Sequence, residues 1–245
     1  MPEQRFATPR PVRLEINVPA ADLDVVTVDG DESTVTVEGS PKLLDNIKVE
    51  LVGDRLIVAP QRKTFTSFFG RFDDSLRVRA GVPHDSQIEI TIAAGEATLD
   101  GSFAGVDARS ASGDIRVTGE VTGDARAKTV SGSVRLPHVG GDLDAQTVSG
   151  SIAAQAVDGS VSAKSVSGDV RVDSVREGRA TVKSVSGDIE LGVAPGTNVD
   201  VDAGSASGQL SSELPLTGAP GGDAGPTLVV RGNTVSGDFR LFRAA

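Results

Sequence analysis

TVSGSVRLPHVGGDLDAQTVSGSIAAQAVDGSVSAKSVSGDVRV, residues 129–172, is the stretch on which the fold turns. The phrase TVSG or SVSG opens it, returns 18 residues later, and returns again after another 18. Further copies stand at residues 184–187 and 234–237. The glycines of these phrases and their degenerate relatives are Gly113, Gly132, Gly150, Gly168, Gly187, Gly208 and Gly237. Their separations are 19, 18, 18, 19, 21 and 29 residues, a self-similarity that marks a solenoid. The last interval holds PLTGAPGGDAGP, residues 215–226, which reads as a Gly/Pro-rich loop extruded from the coil.

The apolar residues show how each coil is built. One coil offers Val130, Val134, Leu136, Val139, Leu143 and Ala145, and the next offers Val148, Ile152, Ala154, Val157, Val161 and Ala163. Steps of 4, 2 and 3 recur, so the coil of 18–19 residues consists of two nine-residue halves. The step of 2 is a strand with alternating faces, and no helical period of 3.6 fits. The longer steps pass through Ser-Gly, Asp-Gly or Glu-Gly, which tolerate turn dihedrals. The expectation is an all-β single-stranded parallel β-helix, its rungs about 4.8 Å apart and the seven glycines stacked as structural corners.

Residues 1–90 are strand-like but less regular, with Gly53-Asp54 as a hairpin turn. They are expected to start the solenoid and cap its open end, with residues 91–245 forming the regular repeats. TFTSFFGRF supplies Phe65, Phe68, Phe69 and Phe72, which would plug that end or serve as a sticky interaction loop.

Composition limits the function. The net charge of −10 and pI near 4.7 argue against nucleic-acid partners, which need a basic footprint. There is no cysteine, hence no disulfide framework or thiolate metal site. The N-terminal MPEQRFATPRPVRLEINV has no signal-peptide core, and no stretch reaches the ~20 apolar residues of a transmembrane span. Together these features predict a cytoplasmic protein. LPLTG at residues 214–218 matches a sortase motif, but neither the apolar tail nor the basic end of a sorting signal follows it, so the match reads as coincidence.

The phrases SGDIRV, SGSVRL and SGDVRV, the entry RVRAGVPHDSQIEI and the closing VRGNTVSGDFRLFR resemble the bacterial putative-adhesin family of β-strand-repeat proteins, a domain family of unknown function. The resemblance covers nearly the whole chain. It implies a single-stranded, right-handed β-helix, and relatives that are often exported or membrane-attached.

Catalytic and metal constellations are weak. His84 and His138 lie in turn-like VPHD and LPHVGG. Asp114, Asp169, Asp188 and Asp238 follow the corner glycine, where an Asp side chain serves a turn by accepting local N–H groups. Calcium rolls require a richer Gly/Asp pattern than one of each per coil. No cofactor is called for. Two outward ladders are more suggestive of binding: Arg116, Arg135, Arg171 and Arg240 in one, Lys128, Gln146, Lys164 and Lys183 in the other. The sequence therefore points to a non-enzymatic scaffold or adhesin-like protein that presents flat sheet faces to a protein or glycan partner, or to itself. A carbohydrate-active β-helix enzyme and an end-to-end filament are the readings from other classes.

Overall fold

The computed structural model describes residues 3–61, 76–214 and 225–244. Within them twenty-three strands join one continuous sheet, and the single helix is the short Pro41–Leu44. No helix among the described residues is long and apolar enough to cross a membrane.

The chain is a parallel β-solenoid. Strand Val134–Val139 pairs in parallel with Ile152–Val157, which pairs with Val170–Val175, one coil apart each time. Between them Leu143–Gln146 pairs with Val161–Lys164 in a second column. Each rung thus has two strands joined by two corners, and alternate residues of each strand point inward. The interior row Leu56, Leu14, Ile88, Val106, Ala125, Leu143, Val161, Ala180, Val230 and Val201 runs unbroken through ten rungs in register. All of these but the terminal Val201 are buried. At ~4.8 Å per step the stack is about 43 Å long.

The order of rungs in space departs from their order in sequence at both ends. Strand Arg13–Val28 lies inside the stack, paired on one edge with Arg55–Pro60 and Leu76–Pro83 and on the other with Ser86–Ala94 and Ala97–Asp100. At the far end Thr227–Ser236 slots between Gly178–Lys183 and Asn198–Ser207, and Phe239–Arg243 slots between Ile189–Val193 and Leu210–Ser212. Ala194-Pro195-Gly196-Thr197 therefore skips a level, with Gly196 at φ 78° and Thr197 Oγ1 donating to the Arg176 carbonyl at 2.8 Å. Residues 227–243 fill the vacant level, so their strands are paired on both edges.

The outermost N-terminal rung is covered by a change of direction. Glu32–Glu38 pairs antiparallel with Leu76–Pro83, and Ile47–Val52 folds antiparallel onto Arg55–Pro60 through the Gly53-Asp54 turn. Gln4–Ala7 adds antiparallel to Glu32–Glu38. Residue 90 falls within strand Ser86–Ala94, and the ladder is continuous across it. Phe65, Phe68, Phe69 and Phe72, and residues 215–224 of the Gly/Pro-rich loop, lie outside the described residues.

Candidate functional site

The repeated phrase divides its labour residue by residue. Its first residue turns inward: Thr129, Thr147, Ser165, Ser184 and Thr234 are all buried. Each hydroxyl donates to the carbonyl of a corner glycine one rung away, as from Thr147 to Gly132 at 3.1 Å and from Thr234 to Gly187 at 3.2 Å. Val130, Val148 and Val166, expected among the interior rows, lie outside instead and are about half exposed. The reason is that a glycine carbonyl at the corner needs a donor, which threonine or serine carries and valine lacks. The strand's alternation then sends the valine to the surface.

Next, the third residues bridge in parallel, Ser131 to Ser149 to Ser167 to Ser186 to Ser236. The glycines follow in one column: Gly113, Gly132, Gly150, Gly168, Gly187, Gly237 and then Gly208, the last two exchanged relative to sequence order. All but Gly208, on the terminal rung, have φ between 132° and 157°. The aspartates after them act as staples between rungs. Asp114 Oδ1 accepts from the Ser133 N–H at 2.8 Å, Asp169 from Asp188 at 2.9 Å, Asp188 from Asp238 at 2.8 Å, and Asp238 from Gln209 at 2.8 Å. The opposite corner repeats the device with Asp124 accepting from Asp142 and Asp142 from Ser160.

Outside the core, the arginine ladder is neutralised. Arg116 pairs with Glu96 at 3.1 Å, Arg135 with Asp114 at 3.4 Å, Arg171 with Asp173 and Glu190, and Arg240 with Glu213 at 2.7 Å. The two histidines are likewise placed beside carboxylates, His84 with Asp29 and His138 with Asp158. Among the described residues no group of three or more His, Cys, Asp or Glu is placed to hold a metal ion.

The other column carries the more open face. Its outward rows are Arg13, Gln87, Gly105, Asp124, Asp142, Ser160 and Arg179; then Glu89, Asp107, Arg126, Asp144, Ser162 and Thr181; then Arg109, Lys128, Gln146, Lys164 and Lys183. Short side chains in the middle of the first row, between Arg13 and Arg179, leave a trough of about 1000 Å³ along the stack. Composition and pairing differ between its two ends. Toward the N-terminal end Arg126 lies 3.4 Å from Asp144 and 3.8 Å from Asp107, Lys128 lies 3.6 Å from Asp144, and Arg109 lies 2.7 Å from Asp107. Burial pushes the Asp144 carboxyl up, but the Gln146 amide bond and the Lys128 and Arg126 charges outweigh it, so its pKa sits below the usual range. Asp107 Oδ1 is buried without a hydrogen-bond partner. Toward the C-terminal end Lys164 and Lys183 on one side and Arg179 on the other flank Ser160, Ser162 and Thr181, and none of the three cations lies within 4.0 Å of a carboxylate among the described residues.

A two-column parallel solenoid with hydroxyl-glycine corners, aspartate staples and a charged trough on one face defines the class of this protein as a β-solenoid repeat domain. It belongs to the Toastrack DUF4097 family, whose model matches residues 12–241. No curated protein matches the chain. Among solved structures it is similar to a putative adhesin from Parabacteroides distasonis, at 14% identity and a TM-score of 0.57, over 97% of this chain and 95% of that one. It is similar also to a putative adhesin from Bacteroides fragilis, at 13% identity and a TM-score of 0.51, over 98% and 95% of the two chains. At these identities the likeness establishes the fold alone.

Proposed function

We propose that this chain is a non-enzymatic, adhesin-like scaffold, wound as a right-handed solenoid, that engages a protein or glycan partner through the trough face. The observation that carries the reading is the set of Lys164, Lys183 and Arg179 flanking Ser160, Ser162 and Thr181, uncompensated on a chain of net charge −10. Strongly charged residues left unpaired in a concave site favour a partner of opposite sign, here one bearing carboxylate, sulfate or phosphate groups. The rigid ladder beneath supports binding because the face is preorganised and loses little freedom on contact. The staple role of the corner aspartates, each with one oxygen already committed to a backbone N–H, favours a structural account of that column over an acid–base one.

End-to-end assembly fits less well. The N-terminal rung is overlaid by antiparallel strands, so the two ends of the stack are not complementary. The test is binding of the purified chain to an array of acidic and neutral glycans and to surface proteins, in parallel with the double variant Lys164→Glu/Lys183→Glu. Retention of the acidic ligands by the parent and their loss by the variant is expected. Equal retention by both would place the binding face elsewhere.

A further inference from the structure

The outward valines of the corner phrase form a feature beside the trough, with Lys164 and Lys183 common to both. Val130, Val148, Val166, Val185 and Val235 occupy consecutive rungs, since the serines beside them bridge in that order. Each is between 46% and 53% exposed, and Ala111 and Ala206 extend the line by one rung at either end. The result is a straight apolar rib about 29 Å long with a repeat of ~4.8 Å. Single exposed apolar side chains are ordinary on a soluble protein, whereas a contiguous row marks a contact surface.

The period selects the occupant. An α-helix presents one face every ~5.4 Å and drifts by about half a repeat against the rib over four steps. A single extended strand presents its same-face side chains every ~6.8 Å and matches no better. A second rib has the same repeat and stays in register throughout. Charge then selects the orientation. On two of the five valine rungs, one side of the rib carries a cation two residues before the valine, Lys164 and Lys183, and the other carries an anion three residues after it, Asp169 and Asp188. All four are exposed. If the two ribs ran antiparallel, lysines would face lysines. If they run parallel, about a two-fold axis along the solenoid, Lys164 of each copy faces Asp169 of the other on the same rung, and Lys183 faces Asp188.

We infer that this chain dimerises side by side with a second copy, rib against rib in parallel. The strip is narrow, at the low end of specific interfaces, so the dimer is reversible with Kd in the micromolar to near-millimolar range.

Sedimentation velocity over a concentration series tests it, with Val148→Asp/Val166→Asp as the disrupting variant. Because both valines are exposed, the variant's melting curve at low concentration is expected to match the parent's, while dimerisation weakens at least about tenfold. A chain that stays monomeric up to about millimolar concentration, or a dimer indifferent to the two aspartates, overturns the inference. The absence of native cysteine allows a second readout. Val130→Cys, Val166→Cys and Val235→Cys, tested one at a time, each form a disulfide-linked dimer on mild oxidation if equal rungs meet. Cross-linking at Val166→Cys alone would reveal antiparallel ribs and sink the charge-paired arrangement.

Discussion

Gly232 faces the ring of Phe239 across the core of the penultimate rung, so closely that a Cβ added to Gly232 would overlap the ring. In the rungs below, the same two positions hold Ala145 with Ile152, Ala163 with Val170 and, directly beneath, Val182 with Ile189. The loss of a methyl on one wall is matched by the gain of a ring on the other, as close packing requires. Gly232→Ala alone should destabilise by about 1–3 kcal/mol through overpacking, and Phe239→Ile alone by roughly 1–3 kcal/mol through a cavity. The double variant restores the pairing of the lower rungs, so its loss should fall short of the sum by at least about 1 kcal/mol in urea unfolding. Simple additivity would show that the two side chains do not share their space.

The hydroxyl bond from Thr147 to the Gly132 carbonyl yields a contrast between neighbours. Thr147→Val keeps size and shape but leaves the partly buried Gly132 carbonyl without its donor, with an expected loss of about 1–3 kcal/mol. Val148→Thr, one residue on and half exposed, should change stability by no more than about 0.5 kcal/mol. Chemical denaturation of the two variants at low protein concentration checks the order, and a reversed order would contradict the inward hydroxyl.

Among the corners, Gly168 has φ 144°, and a Cβ there would collide with the Gly150 carbonyl oxygen of the adjacent rung. Strain and collision act together, so Gly168→Val should lower stability by at least ~3 kcal/mol. Gly53 also has positive φ, 67°, but its Cβ would meet nothing within 4 Å. Gly53→Ala should therefore cost only about 1–2 kcal/mol, the backbone part alone. Comparable thermal midpoints for the two variants would rule out rung-on-rung contact as the source.

Acid sensitivity has a local component at the N-terminal end. The Arg55 guanidinium donates two hydrogen bonds to Glu15, both at 2.6 Å, and holds its carboxyl below the ordinary range. A carboxyl depressed on folding adds stability above its unfolded-state pKa and loses it as pH falls through the folded-state value. Arg55 is half exposed, so solvent screening keeps the contribution of the pair small. Stability is expected to decline on acidification through and below the usual carboxylate range, and Glu15→Gln should flatten that decline. An identical pH profile in the variant would deny the pair its role.

The inserted final segment makes a topological prediction. Asn198–Ser207 and Leu210–Ser212 make their ladder bonds to residues 227–243 and to nothing further out among the described strands. A chain ended after residue 213 should lose amide protection over residues 198–212 while residues 134–175 keep theirs, since a solenoid is stabilised by nearest neighbours. Protection of residues 198–212 in the shortened chain would mean that they had moved down onto Gly178–Lys183.

How much was legible follows from what kind of signal each feature leaves. The stacking of Gly113, Gly132, Gly150, Gly168 and Gly187 could be read directly, because each rung repeats its neighbour and an error would be repeated too. The orientation of Val130 and Thr129 could not be read from hydropathy, which places the valine inside. Only the unsatisfied corner carbonyl inverts the two, and a carbonyl has no letter of its own. The Lys164–Lys183 ladder was visible as a charge pattern. That Arg116, Arg135 and Arg171 are neutralised while Lys164 and Lys183 are not depends on which carboxylates the coil brings within about 4 Å, a matter of three dimensions.

By itself the sequence determined the period, the alternation of faces and the identity of the corner residues, because these are local and repeat every 18–19 positions. The exchange of the last two rungs, the burial of Arg13–Val28 inside the stack, and the trough between Arg13 and Arg179 were decided only by the tertiary structure. The physical reason is that rungs of a solenoid are nearly interchangeable in their hydrogen bonding. Which one sits beside which is set by connections and side-chain fit such as Gly232 against Phe239, and no single stretch of sequence holds both partners.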